Sequence, residues 1–559
     1  MPNGIHKREP VVTPRQRIAF LAMQMVLCAA TLWISAKLLR TLLSGLVGHE
    51  ATTIAVVACC ASVILWRSLY VVRTLSMKRA VLLESRVPSG LRIAMATTIV
   101  PSREFDLLRA KLEGMVGVDP CGNALEHWVL DEEDEPRVRD MIDEFNRLHP
   151  NAHIRHFTRK NNPRYNEAPR GRRYRRFQAR QKGGNINAWL DSIPLEDYDV
   201  VTFLDLDHVP RSDFYRRVLP YFRDAETCFV QGPESFCNRE NNFITRAASF
   251  ERDVFFGLLH RGYFGLGIPV IVGSHTTFRT EALRSLGGAY PVHLTEDYLI
   301  MMHLHSLKKQ GVYLDEVLAV GQLPSTWDAF LGQQLRWSSG GLDLLFRYFP
   351  PLISSYGWGH GLFLFVLLNY YAWGAFFILA KTLLLGGVLA GLALYAEPGL
   401  IASIVGLTVV SALANHLWER QFFIERNRRT FFAENALMNN FLGGLYCLAM
   451  FKSLVTPNSP FRVTTKNRPT ADRAVDTSGY RILASCMIAI ELAGLATVWI
   501  RSVGTNVPSL AWSGHNLLLY PLILSVAGNA LVLILFRRLE REQVRTRPIP
   551  YSRRVPAYR

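Results

Sequence analysis

"VVTFLDLDHVP", residues 200–210, is the stretch on which the fold turns. Val200 to Phe203 form a short apolar run of the kind a strand shows when both faces of its sheet are covered. The run then enters Leu204-Asp205-Leu206-Asp207. Side chains alternate faces along a strand, so Asp205 and Asp207 are expected to point the same way. At a strand end two such carboxylates suit one shared divalent cation. The ordinary alternative is a solvated strand-to-loop junction, and D-x-D alone is a weak signal.

Working outward, "LRIAMATTIVPSRE" (91–104), "EHWVLDEEDEP" (126–136) and "NAHIRHFTRK" (151–160) read as further strands. Helical spacing lies between them in "DLLRAKLEGMV" (106–116) and "DEPRVRDMIDEFNRLHP" (134–150), and again in "QKGGNINAWLDSI" (181–193). Strand and helix in alternation predict a parallel sheet with helices on both faces. Such sheets bind ligands at the carboxyl ends of their strands. Glu104, Asp131 and the Asp205/Asp207 pair all fall at predicted strand ends, which points to a cation and nucleotide site. Neither G-x-G-x-x-G after the first strand nor a P-loop occurs, which argues against a dinucleotide oxidoreductase or an ATPase.

The chain has 559 residues, a net charge of +17 and 49% hydrophobic residues, unevenly spread. Residues 18–36 and 51–66 carry no charge, and apolar runs return at 361–380, 382–396, 400–417, 482–500 and 517–536. Runs of this length read as membrane spans. The first is followed by Lys37 and Arg40 rather than a small-residue cleavage site, so it reads as half of a hairpin. Basic segments flank that hairpin, and the positive-inside rule places its ends and the polar middle in the cytoplasm. The basic stretches "ERQFFIERNRR" and "TTKNRPTADRA" then favour one span near 371–395, an interfacial helix around 340–370, a span at 400–417 and a second interfacial segment at 431–455. With spans near 482–500 and 517–536, the expectation is six spans and a cytoplasmic tail. The expected domains are 1–75, an N-terminal segment and hairpin; 85–340, the cytoplasmic domain; 341–540, interfacial and membrane helices; and 541–559, a basic tail. The eight cysteines show no C-x-x-C or zinc spacing, so neither disulfides nor structural zinc are expected.

Two later stretches bear on chemistry. "HLTEDYLIMMHLHSL" (293–307) sets Thr295, Glu296 and Asp297 ahead of a helix. An N-cap with acids in the first turn accounts for them. The functional alternative makes Asp297 a base that takes a proton from an attacking hydroxyl. In "FLGQQLRWSSGG" (330–341), Gln333, Arg336 and Trp337 share one helical side. That is either an amphipathic surface helix, or an arginine for pyrophosphate beside a tryptophan platform for a sugar.

Taken together, Asp131, D-x-D (205–207), T-E-D (295–297) and Q-x-x-R-W (333–337) resemble the membrane-bound processive family 2 glycosyltransferases: cellulose, hyaluronan and chitin synthases. "KGGNIN" (182–187) is similar to their K-A-G-N-L-N segment, and "FRVTTK" (461–466) to the F-x-V-T-x-K gating loop of cellulose synthases. The resemblance spans roughly residues 90–540. It implies a GT-A-type α/β cytoplasmic domain, which binds nucleotide sugars, inserted in an α-helical multi-span membrane domain of the plasma (inner) membrane. It implies nucleotide contacts from Glu104, Asp131, Lys182, Gln333, Arg336, Phe461, Val463, Thr464 and Lys466. Asp205 and Asp207 would hold Mg²⁺ or Mn²⁺, Asp297 would be the base within Thr295-Glu296-Asp297, and Trp337 would stack the acceptor sugar. The implied partners are a nucleotide sugar such as UDP-glucose, the growing polysaccharide, the bilayer and a periplasmic or cell-wall export partner, with no nucleic acid.

There are departures. Gly273-Ser274-His275 stands where cellulose synthases have Gly-Ser-Cys, which brings His275 to the expected acceptor site and leaves the acceptor sugar open. The segment 159–182 is unusually basic and reads as a solvated or lipid-facing loop, or as a docking site for an anionic regulator. Glu491, mid-span, lines a polymer channel or bonds a neighbouring helix. The competing functions are another β-polysaccharide synthase (mannan, 1,3- or mixed-linkage glucan, amino-sugar polymer), a non-processive transferase to a lipid carrier, and a transporter or scaffold with a degenerate domain.

Overall fold

The structure is a computed structural model. It describes residues 5–44, 50–166, 182–193, 195–286, 293–389, 398–424 and 432–455, together with 485, 488–497, 499–500, 523, 526–531 and 534. The gating-loop candidates Phe461, Val463, Thr464 and Lys466, most of the basic segment 159–182 and the tail 541–559 lie outside the described residues.

Seven strands form the central sheet: β1 (Arg92–Ile99), β2 (Ala124–Asp131), β3 (Ile154–Thr158), β4 (Val200–Leu204), β5 (Thr227–Gln231), β6 (His275–Arg279) and β7 (Gln310–Tyr313). Their order across the sheet is β7-β5-β6-β4-β1-β2-β3. The run β4-β1-β2-β3 is parallel, as strand–helix alternation predicts. The wholly parallel expectation needs correction at β6, which runs antiparallel to both β4 and β5. His275 of β6 pairs with Leu204 of β4. The reversed strand therefore starts at the carboxyl edge and delivers Gly273 and Ser274 to the D-x-D segment.

The pleat explains the apolar run of β4. Val201 and Phe203 join one core with Ala94, Ala96, Trp128 and Trp189. Val200 and Leu204 join the opposite core with Ile93, Met95, Phe214 and Tyr215. Helices cover both faces: α3 (Pro101–Val116), α4 (Pro136–Leu148) and α5 (Lys182–Ser192) among them. Leu108 and Leu112 of α3 pack with Ile142 and Phe145 of α4 in a further cluster under β1 and β2. Ahead of these in the chain, α1 (Pro14–Ser44) and α2 (Glu50–Leu75) form a hairpin. Strand His6–Pro10 pairs antiparallel with Lys78–Leu82, so the two ends of the hairpin lie on one side.

Further helices are α6 (Phe243–Val254), between β5 and β6, and α7 (Glu296–Ser306), between β6 and β7, followed after the sheet by α8 (Trp327–Asp343), α9 (Trp358–Leu368), α10 (Tyr370–Leu389), α11 (Pro398–Glu419) and α12 (Phe432–Val455). A capping box between Asn242 and Thr245 starts α6. Thr326 caps α8 by accepting from Ala329 N at 3.3 Å. The apolar stretch after 361 is broken at Asn369 between α9 and α10. α12 packs on α8 and α10, burying Met438, Phe441 and Leu442 against Trp327 and Phe330. Among the described residues one helix, Pro14–Arg40, is long and apolar enough to cross a membrane, with shorter apolar helices at Trp358–Leu368, Phe441–Val455 and Ile488–Thr497. Glu491 is buried.

Candidate active site

Strand β4 ends at Leu204, and Asp205 to Asp207 lie in the turn that follows. The two carboxylates therefore do not converge through strand alternation. The turn itself brings them together, closed by His208 N donating to the Asp205 carbonyl at 3.0 Å. Asp205 N donates to the Ser274 carbonyl at 2.9 Å, which ties the turn to the start of β6. Ligand atoms of Asp205, Asp207 and His208 all lie within 4.8 Å of one another. Two hard carboxylates and an imidazole in this spacing fit Mg²⁺ or Mn²⁺. The Lys182 ammonium sits 2.5 Å from Asp205 Oδ1, a cation already placed against the same carboxylate.

Behind the turn lies a residue that sequence reasoning missed. Lys111 of α3 is wholly buried, and its Nζ donates to the carbonyls of Asp205 (3.1 Å) and His208 (2.7 Å). Burial pushes this lysine down to about 7, against the pull of Asp205 and Asp207. Nothing local in "LLRAKLEG" signals the role, because both acceptors are distant in sequence.

Lys182, the first residue of α5, also donates to the Gly273 carbonyl at 2.7 Å and stands 4.0 Å from Glu296 Oε1. Burial opposes its charge, but Asp205 and Glu296 outweigh it, and its pKa is raised. It thus binds the acids of the site to one another. Asp297 Oδ2 accepts from Gly273 N at 3.0 Å and Oδ1 from Tyr298 N at 2.9 Å. Burial raises the carboxyls of both Glu296 and Asp297, with the neighbouring acids adding to it and Lys182 opposing. A carboxylate raised this way is a stronger proton acceptor at neutral pH. Thr295 stands at the N-cap position, but its side chain makes no capping bond. Its Oγ1 lies 3.1 Å from His293 Nδ1, and His293 Nε2 lies 3.0 Å from Asp343 Oδ2 at the end of α8.

Gln333, Arg336 and Trp337 of α8 line the same cavity as Lys182, Asp205, Asp207, Glu296 and Asp297. Its volume is about 1330 Å³, and Trp66, Tyr370, Tyr371, Asn435 and Asn439 line it too. Glu104 lines it as well, from the first turn of α3 rather than from a strand end.

Two expected contacts fall elsewhere. Asp131 is wholly buried and its carboxylate accepts from the backbone N–H of Glu133, Asp134 and Glu135, at 2.9, 3.1 and 2.8 Å. It shapes the loop after β2, and its neighbours Glu132, Glu133 and Glu135 line the cavity instead. His275 is also wholly buried, with Nδ1 2.9 Å from Ser274 Oγ and its ring stacked on His208 at 6.1 Å. Burial pushes it down to about 3, so it is neutral packing behind the turn, and Gly273 and Ser274 face the cavity.

Residues 200–415 match the glycosyl transferase family group 2. A stretch of 167 residues, 29% of the chain, is 32% identical to a UDP-forming cellulose synthase catalytic subunit of Dictyostelium discoideum and spans 16% of that protein's length. Among solved structures, the chain is similar to the mannosyltransferase PcManGT from Pyrobaculum calidifontis in complex with GDP-Man and Mn²⁺, at 15% identity and a TM-score of 0.42, over 74% of this chain and 98% of that one. The segment similar to family 2 glycosyltransferases starts at β4 and contains the D-x-D turn, Asp297 and the Gln333–Trp337 helix face.

Proposed function

We propose that this protein is a membrane-embedded, inverting family 2 glycosyltransferase with a GT-A-type domain. It polymerises a nucleotide sugar, with UDP-glucose the leading donor, into a β-linked glycan and passes the product across the membrane. The observation that supports this best is convergence. Side chains from positions 182, 205, 207, 297, 333, 336 and 337 line one cavity that residues of α2, α10 and α12 also line.

The chemistry assigns each group one task. Asp205 and Asp207, with His208 beside them, would hold the divalent ion, which when bound stabilises the leaving diphosphate. Gln333 and Arg336 bind the diphosphate from α8. Asp297, held by two backbone N–H groups, takes the proton of the acceptor hydroxyl as that oxygen attacks the anomeric carbon. One displacement inverts the centre, so an α-linked donor gives a β-linkage. Trp337 carries the terminal acceptor sugar at the mouth of the onward passage.

The test is reconstitution in proteoliposomes with Mg²⁺ or Mn²⁺ and each radiolabelled UDP-sugar or GDP-mannose in turn. High-molecular-weight product from UDP-glucose, cut by a β-1,4-glucanase, is expected. Polymer cut only by another glycanase changes the product and keeps the mechanism. A single sugar on lipid, with no polymer from any donor, overturns the processive reading. Asp297→Asn is expected to lower transfer by about 10³-fold with nucleotide binding retained, and unchanged transfer would remove Asp297 as the base.

A further inference from the structure

Trp337 does not stand alone in the cavity. The guanidinium of Arg252, near the end of α6, lies over its ring with Cζ 4.3 Å from the centroid. Arg252 is held in turn by Glu234, with Nη1 3.6 Å from Oε2. Both side chains are largely buried, at 17% and 7% exposure. The other carboxylate oxygen of Glu234 lies 4.0 Å from His208 Nε2, beside the D-x-D turn. All four residues line the cavity.

We infer that Arg252 is a positioning and specificity-determining residue that fixes the Trp337 ring and closes one of its faces, so that the acceptor sugar stacks only on the other. A guanidinium over an indole is held by the ring's quadrupole and by flat stacking, and more strongly where water is excluded. Unheld, a tryptophan at a cavity wall presents two faces and several rotamers, and an acceptor hydroxyl would meet Asp297 in only some of them. With one face occupied, the register of the sugar against the base is fixed, as proximity catalysis requires. Glu234 stands between Arg252 and His208, so the same carboxylate ties the platform to the turn that faces the donor. This inference rests on Trp337 being the acceptor platform.

The experiment separates the two steps by using water as an alternative acceptor. Purified protein in nanodiscs is assayed for transfer to added oligosaccharide and, without acceptor, for slow hydrolysis of the nucleotide sugar. For Arg252→Met we expect transfer about tenfold lower and acceptor KM raised, with hydrolysis and donor KM unchanged. Arg252→Lys keeps the cation and is expected to recover part of the loss. Glu234→Gln, which loosens the tether, should fall between. Equal loss of transfer and hydrolysis in Arg252→Met, or no recovery with lysine despite a protein that folds and binds nucleotide, would overturn the proposal. Trp337→Ala is the control on the underlying reading. If it leaves transfer intact, the platform assignment fails; if it abolishes transfer while Arg252→Met is silent, only the Arg252 proposal fails.

Discussion

At the scale of single residues the site is a problem in charge. Asp205, Asp207, Glu296 and Asp297 line one cavity, and the Lys182 ammonium lies between Asp205 and Glu296. Removing it as Lys182→Met leaves burial and the neighbouring acids to raise Glu296 and Asp297 further. A base works deprotonated, so activity is lost as pH falls through its pKa. The acid limb of the kcat profile should therefore move to higher pH in the variant, measured between about pH 5 and pH 9. Coincident limbs would show that Lys182 does not set the base. Lys111 acts through backbone instead. Lys111→Met keeps the volume and removes the donor to two carbonyls of the D-x-D turn. Residues that orient metal ligands typically change affinity by about 10- to 100-fold. The Mn²⁺ concentration for half-maximal activity should rise about tenfold, with the protein still folded; an unchanged requirement would make Lys111 simple packing.

The element scale shows what a sequence can and cannot reveal. β1, β2 and β4 were legible because each holds a short apolar run next to helical spacing, which is a local signal, and β3, with only Ile154 and Phe157 apolar, from its place in that alternation. The reversal of β6 was not, since direction depends on the route the chain takes through α6 and the turns after it. Asp205 and Asp207 were found through strand alternation although a turn aims them. Asp131 read as a ligand contact because an acid at a strand end looks the same whether it faces a cavity or three backbone N–H groups. Lys111, Glu234, Arg252 and His293 gave no sign, because their partners are remote in sequence. α8 supplies the next test. A Cβ placed at Gly340 would lie 2.7 Å from Thr295 Cγ2, so the helix bearing Trp337 rests directly on the turn bearing Asp297. Alanine favours a helix over glycine by about 1 kcal/mol, which offsets part of an overpacking cost of about 1–3 kcal/mol. Gly340→Ala should lower the melting temperature only slightly while kcat falls about tenfold, because Trp337 and Asp297 move apart. A loss of stability with kcat intact would mean the contact is only packing.

On the scale of the whole molecule, the sheet edge and the helices share one cavity. Asp205, Asp207, Glu296 and Asp297 line it together with Trp66 of α2, Tyr370 and Tyr371 of α10, and Asn435 and Asn439 of α12. Aromatic faces and amide groups in such a passage suit a sugar chain, which offers flat apolar surfaces rimmed by hydroxyls. If product leaves this way, blocking the passage should spare chemistry and limit length. Asn439, whose Nδ2 donates to Asn435 Oδ1 at 2.9 Å, sits one helical turn along α12 from that partner. Asn439→Trp places a large ring there without touching Asp205, Asp207 or Asp297. The variant should hydrolyse donor and make its first transfers at the wild-type rate, then accumulate short products, resolved by size on gels or by mass spectrometry. Full-length polymer from Asn439→Trp would mean that the chain leaves by another route. Loss of even the first transfer would place Asn439 within the acceptor site and bring the end of the passage closer to Trp337.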